Sequence, residues 1–175
     1  MRKCVFFDRD GVVNESPGPG YVERWEDFHV LPEFIDTLKT ITRLGYEAVI
    51  ITNQRGVALG RMTLEELEDI HRRLREMLET EHQLKILDIL YCPHDGNECE
   101  CRKPKPGMLL EAAKRYLLDL ERSWMIGDSA RDVEAGHAAG CRTILVGKAY
   151  PAAKPDFSIA TMADLSSSIE AILSR

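Results

Sequence analysis

Short apolar runs alternate with helical patterns from one end of the chain to the other. Runs of strand length fall at 3–7, 47–52, 86–91, 123–126, 143–146 and 157–159. Between them, apolar positions spaced by three and four predict helices over 32–44, 63–81, 107–120, 129–139 and 163–174. The pattern over 63–81 is the clearest. Thr63 with Glu66 reads as a capping box, and Leu64, Leu67, Ile70, Leu74 and Leu78 make one apolar stripe. The opposite face, with Glu65, Glu68, Asp69, Arg72, Arg73 and Glu76, reads as solvated surface. Gly140 stands where the glycine that ends the 129–139 helix is expected. Strands and helices alternating in this way call for right-handed crossovers and a doubly wound, mainly parallel α/β sheet covered on both faces.

Two stretches interrupt the alternation: 14–31, with Pro17-Gly18-Pro19-Gly20, and 92–106, with clustered Cys and His and two prolines. Irregular loops of this length inside a compact domain are usually functional. They leave no room for a cap domain. A length of 175 residues predicts one domain over 1–175. Such a chain buries roughly 70% of its unfolded surface and needs no staples.

Charge narrows the partners. Lys plus Arg is 23 against 29 Asp plus Glu, a net charge of −6. That lacks the basic footprint of a nucleic-acid binder and does not favour an anionic membrane surface. No apolar run approaches the ~18 residues of a membrane span. After Met1-Arg2-Lys3 only Cys4 to Phe7 are apolar before Asp8, too short for a secretory core. The expectation is a soluble, cytoplasmic monomer with neither a nucleic-acid nor a membrane partner.

Cysteine use fits a reducing compartment. Of five cysteines, Cys4 and Cys141 lie in apolar, strand-like stretches, whereas Cys92, Cys99 and Cys101 gather beside His94. Clustered Cys and His in such a compartment point to metal rather than disulfides. The C-x-H-x4-C-x-C spacing supplies three thiolates and one imidazole, the set for a closed tetrahedral zinc site over 92–101. Asp95 and Glu98 lie within the loop, but zinc prefers thiolate. His29, His71, His82 and His137 show no partner spacing and read as surface or helix-packing residues.

In an open α/β sheet, ligands bind beyond the carboxyl ends of the strands. Polar clusters sit at four of these ends: Asp8-Arg9-Asp10-Gly11, Thr52-Asn53-Gln54-Arg55-Gly56, Cys101-Arg102-Lys103-Pro104, and Gly127-Asp128-Ser129 with Asp132 one turn further. Asp8 and Asp10 leave the strand on one side, and Asp128 adds a third carboxylate. Converging carboxylates repel unless a cation joins them, and Mg²⁺ suits carboxylates, water and phosphate. Lys103 and Thr52 bring a positive charge and a hydroxyl to the same place. Facing a phosphoryl group, one aspartate can attack phosphorus while the other handles the proton, with Mg²⁺ and Lys103 screening charge. Phosphate-monoester hydrolysis needs accelerations of up to ~10²¹-fold, which accounts for so much machinery.

Phe7-Asp8-Arg9-Asp10-Gly11, Ile51-Thr52-Asn53-Gln54, Arg102-Lys103-Pro104 and Ile126-Gly127-Asp128 resemble, in order and over nearly the whole chain, the four motifs of the haloacid-dehalogenase-like phosphohydrolases. The resemblance implies a Rossmann-like fold and an aspartyl-phosphate on Asp8, with Asp10 as general acid and base. It implies Thr52 and Lys103 as stabilisers of the transferring group, and Mg²⁺ on Asp8, Asp128 and the Asp10 backbone carbonyl. The Cys/His loop before Lys103 resembles a cap-less, zinc-bearing branch of the family that acts on a heptose bisphosphate or on histidinol phosphate. Asn14, Gly20-Tyr21-Val22 and Gly107-Met108 resemble the sugar branch; the short His94-to-Cys99 interval resembles the other. Ser129 departs from the lysine that the sugar branch places there, so Arg55, Arg102 or Arg131 would have to meet a second phosphate. The balance implies a small phosphorylated metabolite, a sugar bisphosphate, contacted by Pro19, Gly20, Tyr21, Val22, Asn53, Gln54, Arg55 and Arg102. A phospho-aspartate receiver uses similar groups. Asp8 on the first strand, with Asp10 placed to activate water, argues for hydrolysis over storage. A silent zinc module is disfavoured because every catalytic position is filled.

Overall fold

The computed structural model describes residues 1–175. Six strands form one sheet: β1 (Cys4–Phe7), β2 (Glu47–Asn53), β3 (Asp88–Cys92), β4 (Trp124–Gly127), β5 (Arg142–Val146) and β6 (Phe157–Ile159). All neighbours are parallel, in the order β3-β2-β1-β4-β5-β6. The order reverses between β1 and β4, where such sheets open a crevice for ligands. The helices are α1 (Pro32–Arg43), α2 (Arg55–Ala58), α3 (Leu64–His82), α4 (Gly107–Tyr116), α5 (Ala130–Ala139) and α6 (Met162–Leu173). No helix is long and apolar enough to cross a membrane.

The period-2 alternation of β1 divides the core. Val5 and Phe7 join a cluster with α1, α3 and α6 that includes Leu38, Leu74 and Ile169. Cys4 and Phe6 point into a second cluster with α4 and α5, including Met108, Leu109 and Ala135. Burying each large aliphatic side chain contributes roughly 1.5–3 kcal/mol. The α3 stripe is anchored at Thr63, whose side chain accepts from the Glu66 amide at 3.1 Å while Glu66 accepts from the Thr63 amide at 2.7 Å.

Besides the added one-turn α2, the structure departs from the sequence pattern at three places. The 107–120 helix ends at Tyr116, because Leu117 turns left-handed (φ 55°). The turn lets Leu118 bury, while the backbone pairs with the N-terminal segment through Arg2 N–H to Leu117 O and Asp119 N–H to Arg2 O. β3 begins at Asp88 and runs through Cys92, because its partners on β2 are Val49 to Asn53. Cys141 lies one residue before β5, buried, and burial pushes its thiol up to about 12.

Candidate active site and metal centres

Asp8 follows β1 directly, its amide donating to Ile126 O of β4 at 2.9 Å. Asp128 follows β4. The carboxyl oxygens of Asp8, Asp128 and Asp132 lie within 4.8 Å of one another. Two glycines permit this approach. A Cβ on Gly11, which adopts φ +91°, would stand 2.1 Å from Asp128 Oδ2, and one on Gly127 would stand 2.2 Å from Asp132 Cβ.

Lys103 reaches into the group from the loop after β3. Its Nζ donates to Asp132 Oδ1 at 2.6 Å, Asp8 Oδ1 at 2.8 Å and Ile51 O at 3.0 Å, satisfying all three ammonium protons. Burial works against that charge, but the carboxylates of Asp132 and Asp8 more than offset it and hold the ammonium above its usual range. One ammonium cannot serve three carboxylates. Burial, then the neighbouring Asp132, pushes Asp8 well above the ordinary carboxylate range despite Lys103, and the same two causes raise Asp128. Asp132 is already committed, Oδ1 to Lys103 and Oδ2 to the Ser129 amide and hydroxyl. Asp8 Oδ1 accepts from Lys103 and from the Arg9 amide, leaving Oδ2 without a nitrogen donor. A hard divalent cation on Asp8 and Asp128 is the partner this surplus of buried oxygen donors lacks.

The Asp10 carboxylate faces a different set of groups. It accepts from Arg9, from Asn14 Nδ2 at 2.9 Å and from Gln54 Nε2 at 3.1 Å. Thr52 is buried, and its hydroxyl accepts from Gln54 Nε2 at 2.8 Å. A cavity of about 220 Å³ opens beside these residues. It is lined by Asp8, Asp10, Lys103 and Asp128, by Ser16 to Gly18, Gly20 and Tyr21 of the first long loop, and by Asn53, Gln54, Ser129, Arg131 and Asp132.

Of the eight residues expected to contact a substrate, Gly20, Tyr21, Asn53 and Gln54 line this cavity. Asn53 does so with its amide already spent: Nδ2 donates to Lys103 O and Oδ1 accepts from Lys103 N–H, both at 3.0 Å. Pro19 is exposed outside the cavity, and Val22 is buried in the core cluster beside Phe28. Arg55 pairs with Asp95 at 2.7 Å, and Arg102 Nη1 donates to His94 O at 3.3 Å, so both lean on the cysteine loop. Arg131 is the guanidinium at the cavity and makes no ion pair. The sequence places Asp132 only one turn beyond Gly127-Asp128-Ser129, and in the structure it closes a capping box with Ser129. Its second role depends on a lysine 29 positions away, which no local spacing reveals.

The loop after β3 gathers the other ligand set. Cys92, Cys99 and Cys101 Sγ and a His94 ring nitrogen lie within 4.8 Å of one another, with Sγ–Nδ1 separations of 3.5 Å from Cys92 and 3.4 Å from Cys101. Burial raises Cys92 and Cys101. Burial opposes the Cys99 thiolate too, but hydrogen bonds from Cys101 and the Arg102 amide outweigh it and bring Cys99 to about 6. Three sulfurs and one imidazole nitrogen at this separation are a donor set suited to a soft-ligand cation such as Zn²⁺.

The HAD-hydrolase-like family model matches residues 100–165. The chain is 39% identical over 145 residues to the D-glycero-beta-D-manno-heptose-1,7-bisphosphate 7-phosphatase of Pseudomonas putida, covering 82% of each protein. It is 40% identical over 162 residues to the D-glycero-alpha-D-manno-heptose-1,7-bisphosphate 7-phosphatase of Photorhabdus laumondii, covering 87% of each. The crystal structure of D,D-heptose 1,7-bisphosphate phosphatase from B. bronchiseptica, complexed with magnesium and phosphate, superposes with a TM-score of 0.83 at 30% identity. That superposition covers 95% of this chain and 97% of the other.

Proposed function

The chain belongs to the haloacid-dehalogenase-like phosphatases, in the group that holds the heptose-1,7-bisphosphate 7-phosphatases, and from that premise we propose that it hydrolyses the 7-phosphate of D-glycero-D-manno-heptose 1,7-bisphosphate. The observation that carries the reading is the half-free Asp8 carboxylate, anchored through Oδ1 by Lys103 and a backbone amide. Oδ2 attacks phosphorus, an Asp8 O–P bond forms, and the ester P–O bond breaks while Asp10 protonates the departing sugar oxygen. Water then attacks the aspartyl-phosphate, Asp10 takes its proton, and the Asp8 O–P bond breaks to release phosphate. Lys103 and Thr52 stabilise the phosphoryl oxygens. Asp8, Asp128 and the Asp10 backbone carbonyl would hold Mg²⁺, which would supply charge neutralisation as a dianion meets a carboxylate.

Zn²⁺ on Cys92, His94, Cys99 and Cys101 is structural in this reading. Bound there, it would tie a loop that Gln54 N–H also holds through Cys92 O at 2.8 Å, and so would help to place Lys103. Two features support a bisphosphate over histidinol phosphate: the sugar-phosphatase relatives, and Arg131 at the cavity with no carboxylate partner, open to a second anion. Gly20, Tyr21 and Gln54 meet the sugar, and Arg131 takes the position for which Arg55 and Arg102 were the other candidates.

The test is phosphate release from both anomers of the heptose bisphosphate and from histidinol phosphate. A kcat/KM for one bisphosphate anomer at least about 10-fold above that for histidinol phosphate is expected; the reverse order overturns the substrate. Metal analysis of protein purified without chelator should find one zinc per chain. Finding none removes the structural-site claim.

A further inference from the structure

Arg9 is a charged side chain with no exposed surface, lying directly behind Asp10. A buried guanidinium needs a counter-charge and partners for its donors. Its Nη2 donates to Asp10 Oδ1 at 3.1 Å and Oδ2 at 3.3 Å, and its Nε donates to Oδ1 at 3.3 Å. Asp10 is the one carboxylate that pairs with it. The remaining terminus, Nη1, lies 3.1 Å from Nε2 of His71, a buried residue on α3 sixty-two positions away. Arginine has no acceptor, so Nη1 donates and Nε2 must carry its lone pair; the ring is neutral. Burial, with Arg9 and Arg75 nearby, pushes His71 well below the ordinary histidine range, in agreement with the geometry. Phe28 stands over the guanidinium at 5.3 Å, and the Tyr91 ring flanks His71 at 5.7 Å. Arg9 is therefore held on every side, and through it so is the Asp10 carboxylate.

We propose that His71 and Arg9 form a positioning relay from α3 to Asp10, the neutral imidazole orienting the guanidinium and the guanidinium fixing the carboxylate for both proton transfers. The proposal rests on the acid–base role of Asp10 given above. Neither His71 nor Arg9 touches substrate in it. A proton-transfer group displaced by a fraction of an ångström loses rate, with misplacements near 1 Å costing about 100-fold. The relay explains a histidine on the apolar face of α3 for which packing alone requires no ring nitrogen.

The experiment compares His71→Leu, which cannot accept from Arg9, with His71→Gln, whose amide oxygen can, and includes Asp10→Asn. On the best alkyl phosphate, His71→Leu should lower kcat by about 10–100-fold with KM within about twofold, and His71→Gln should recover most of the loss. On p-nitrophenyl phosphate, whose leaving group needs no proton, His71→Leu should give a burst near one equivalent of p-nitrophenolate. Slow turnover should follow, because the aspartyl-phosphate now waits for water to be deprotonated. Wild-type kcat in His71→Leu overturns the relay, and so do equal losses in both His71 variants on both substrates without a burst. Full activity in Asp10→Asn overturns the acid–base role itself and the relay with it. An inactive Asp10→Asn beside an unaffected His71→Leu overturns the relay alone.

Discussion

The carboxylates at the β1–β4 switch point and the thiols of the 92–101 loop each crowd ionisable ligand atoms within 4.8 Å, but they are built on opposite plans. The carboxylates arrive from two strand ends and a helix, and they enclose a cation of the protein's own, Lys103, bonded to two of them. The thiols and their imidazole come from ten consecutive residues with no cation among them. Their contacts with one another are sulfur–sulfur and sulfur–imidazole. The first cluster is assembled by the sheet and is short of one divalent charge. The second is fixed to the sheet at one end only, where Cys92 closes β3, so the geometry of its other three ligands depends on what it binds.

That contrast can be broken at several points. The largest effect is expected from Asp8→Asn, which should lower phosphate release by at least about 10⁴-fold, as removal of a nucleophile does. Its melting temperature should stay within about 2 °C of wild type, because a repelled buried carboxyl is being neutralised; residual turnover near wild type would refute the nucleophile. Next is a pair of metal removals. Cys99→Ala should lose zinc by atomic emission and melt roughly 5–10 °C lower, equivalent to about 2–3 kcal/mol in a domain this size. Withdrawing Mg²⁺ with a selective chelator should stop turnover reversibly and shift melting far less. Equal thermal losses from both would erase the distinction between the two centres.

Asn53→Ala comes third. It removes two hydrogen bonds to the Lys103 backbone, each worth about 0.5–1.5 kcal/mol, and should slow kcat about 10-fold by loosening the lysine without displacing zinc. Steady-state kinetics with metal analysis on the same sample decides this. The smallest effect is expected from Arg55→Ala. Its exposed pair with Asp95 belongs to a class that contributes little, so melting should move by less than about 2 °C. A larger drop would mean that α2 holds the cysteine loop more firmly than its contacts imply.

Periodicity is a local property, and what it could and could not reveal follows from that. The strands are legible as short apolar runs, and the α3 stripe from Leu67 to Leu78 as a helical repeat, although Leu64 at its start is exposed. Helix α2 is a single turn containing Gly56, too short to have a period. The stop of α4 at Leu117 is set by pairing with Arg2, a residue more than a hundred positions away. In the site, motifs at strand ends could be placed because topology carries them to one rim. The orientation of side chains in the long loops could not. Val22 is drawn into the core, and Arg55 and Arg102 turn towards the cysteine loop. The Arg9–His71 contact joins two segments whose local patterns, a motif spacer and an apolar helix face, each have a complete explanation without the other.

Asp8 and Asp128 extend β1 and β4, adjacent interior strands, and the last rung between them is the Asp8 amide on Ile126 O. Amide exchange at Phe7 and Asp8 therefore belongs with the slowest class, which opens only when the whole molecule does. Asp8 is therefore expected to stay in place until the sheet opens, and Lys103, the charged member carried on a loop, to leave the site before it on warming.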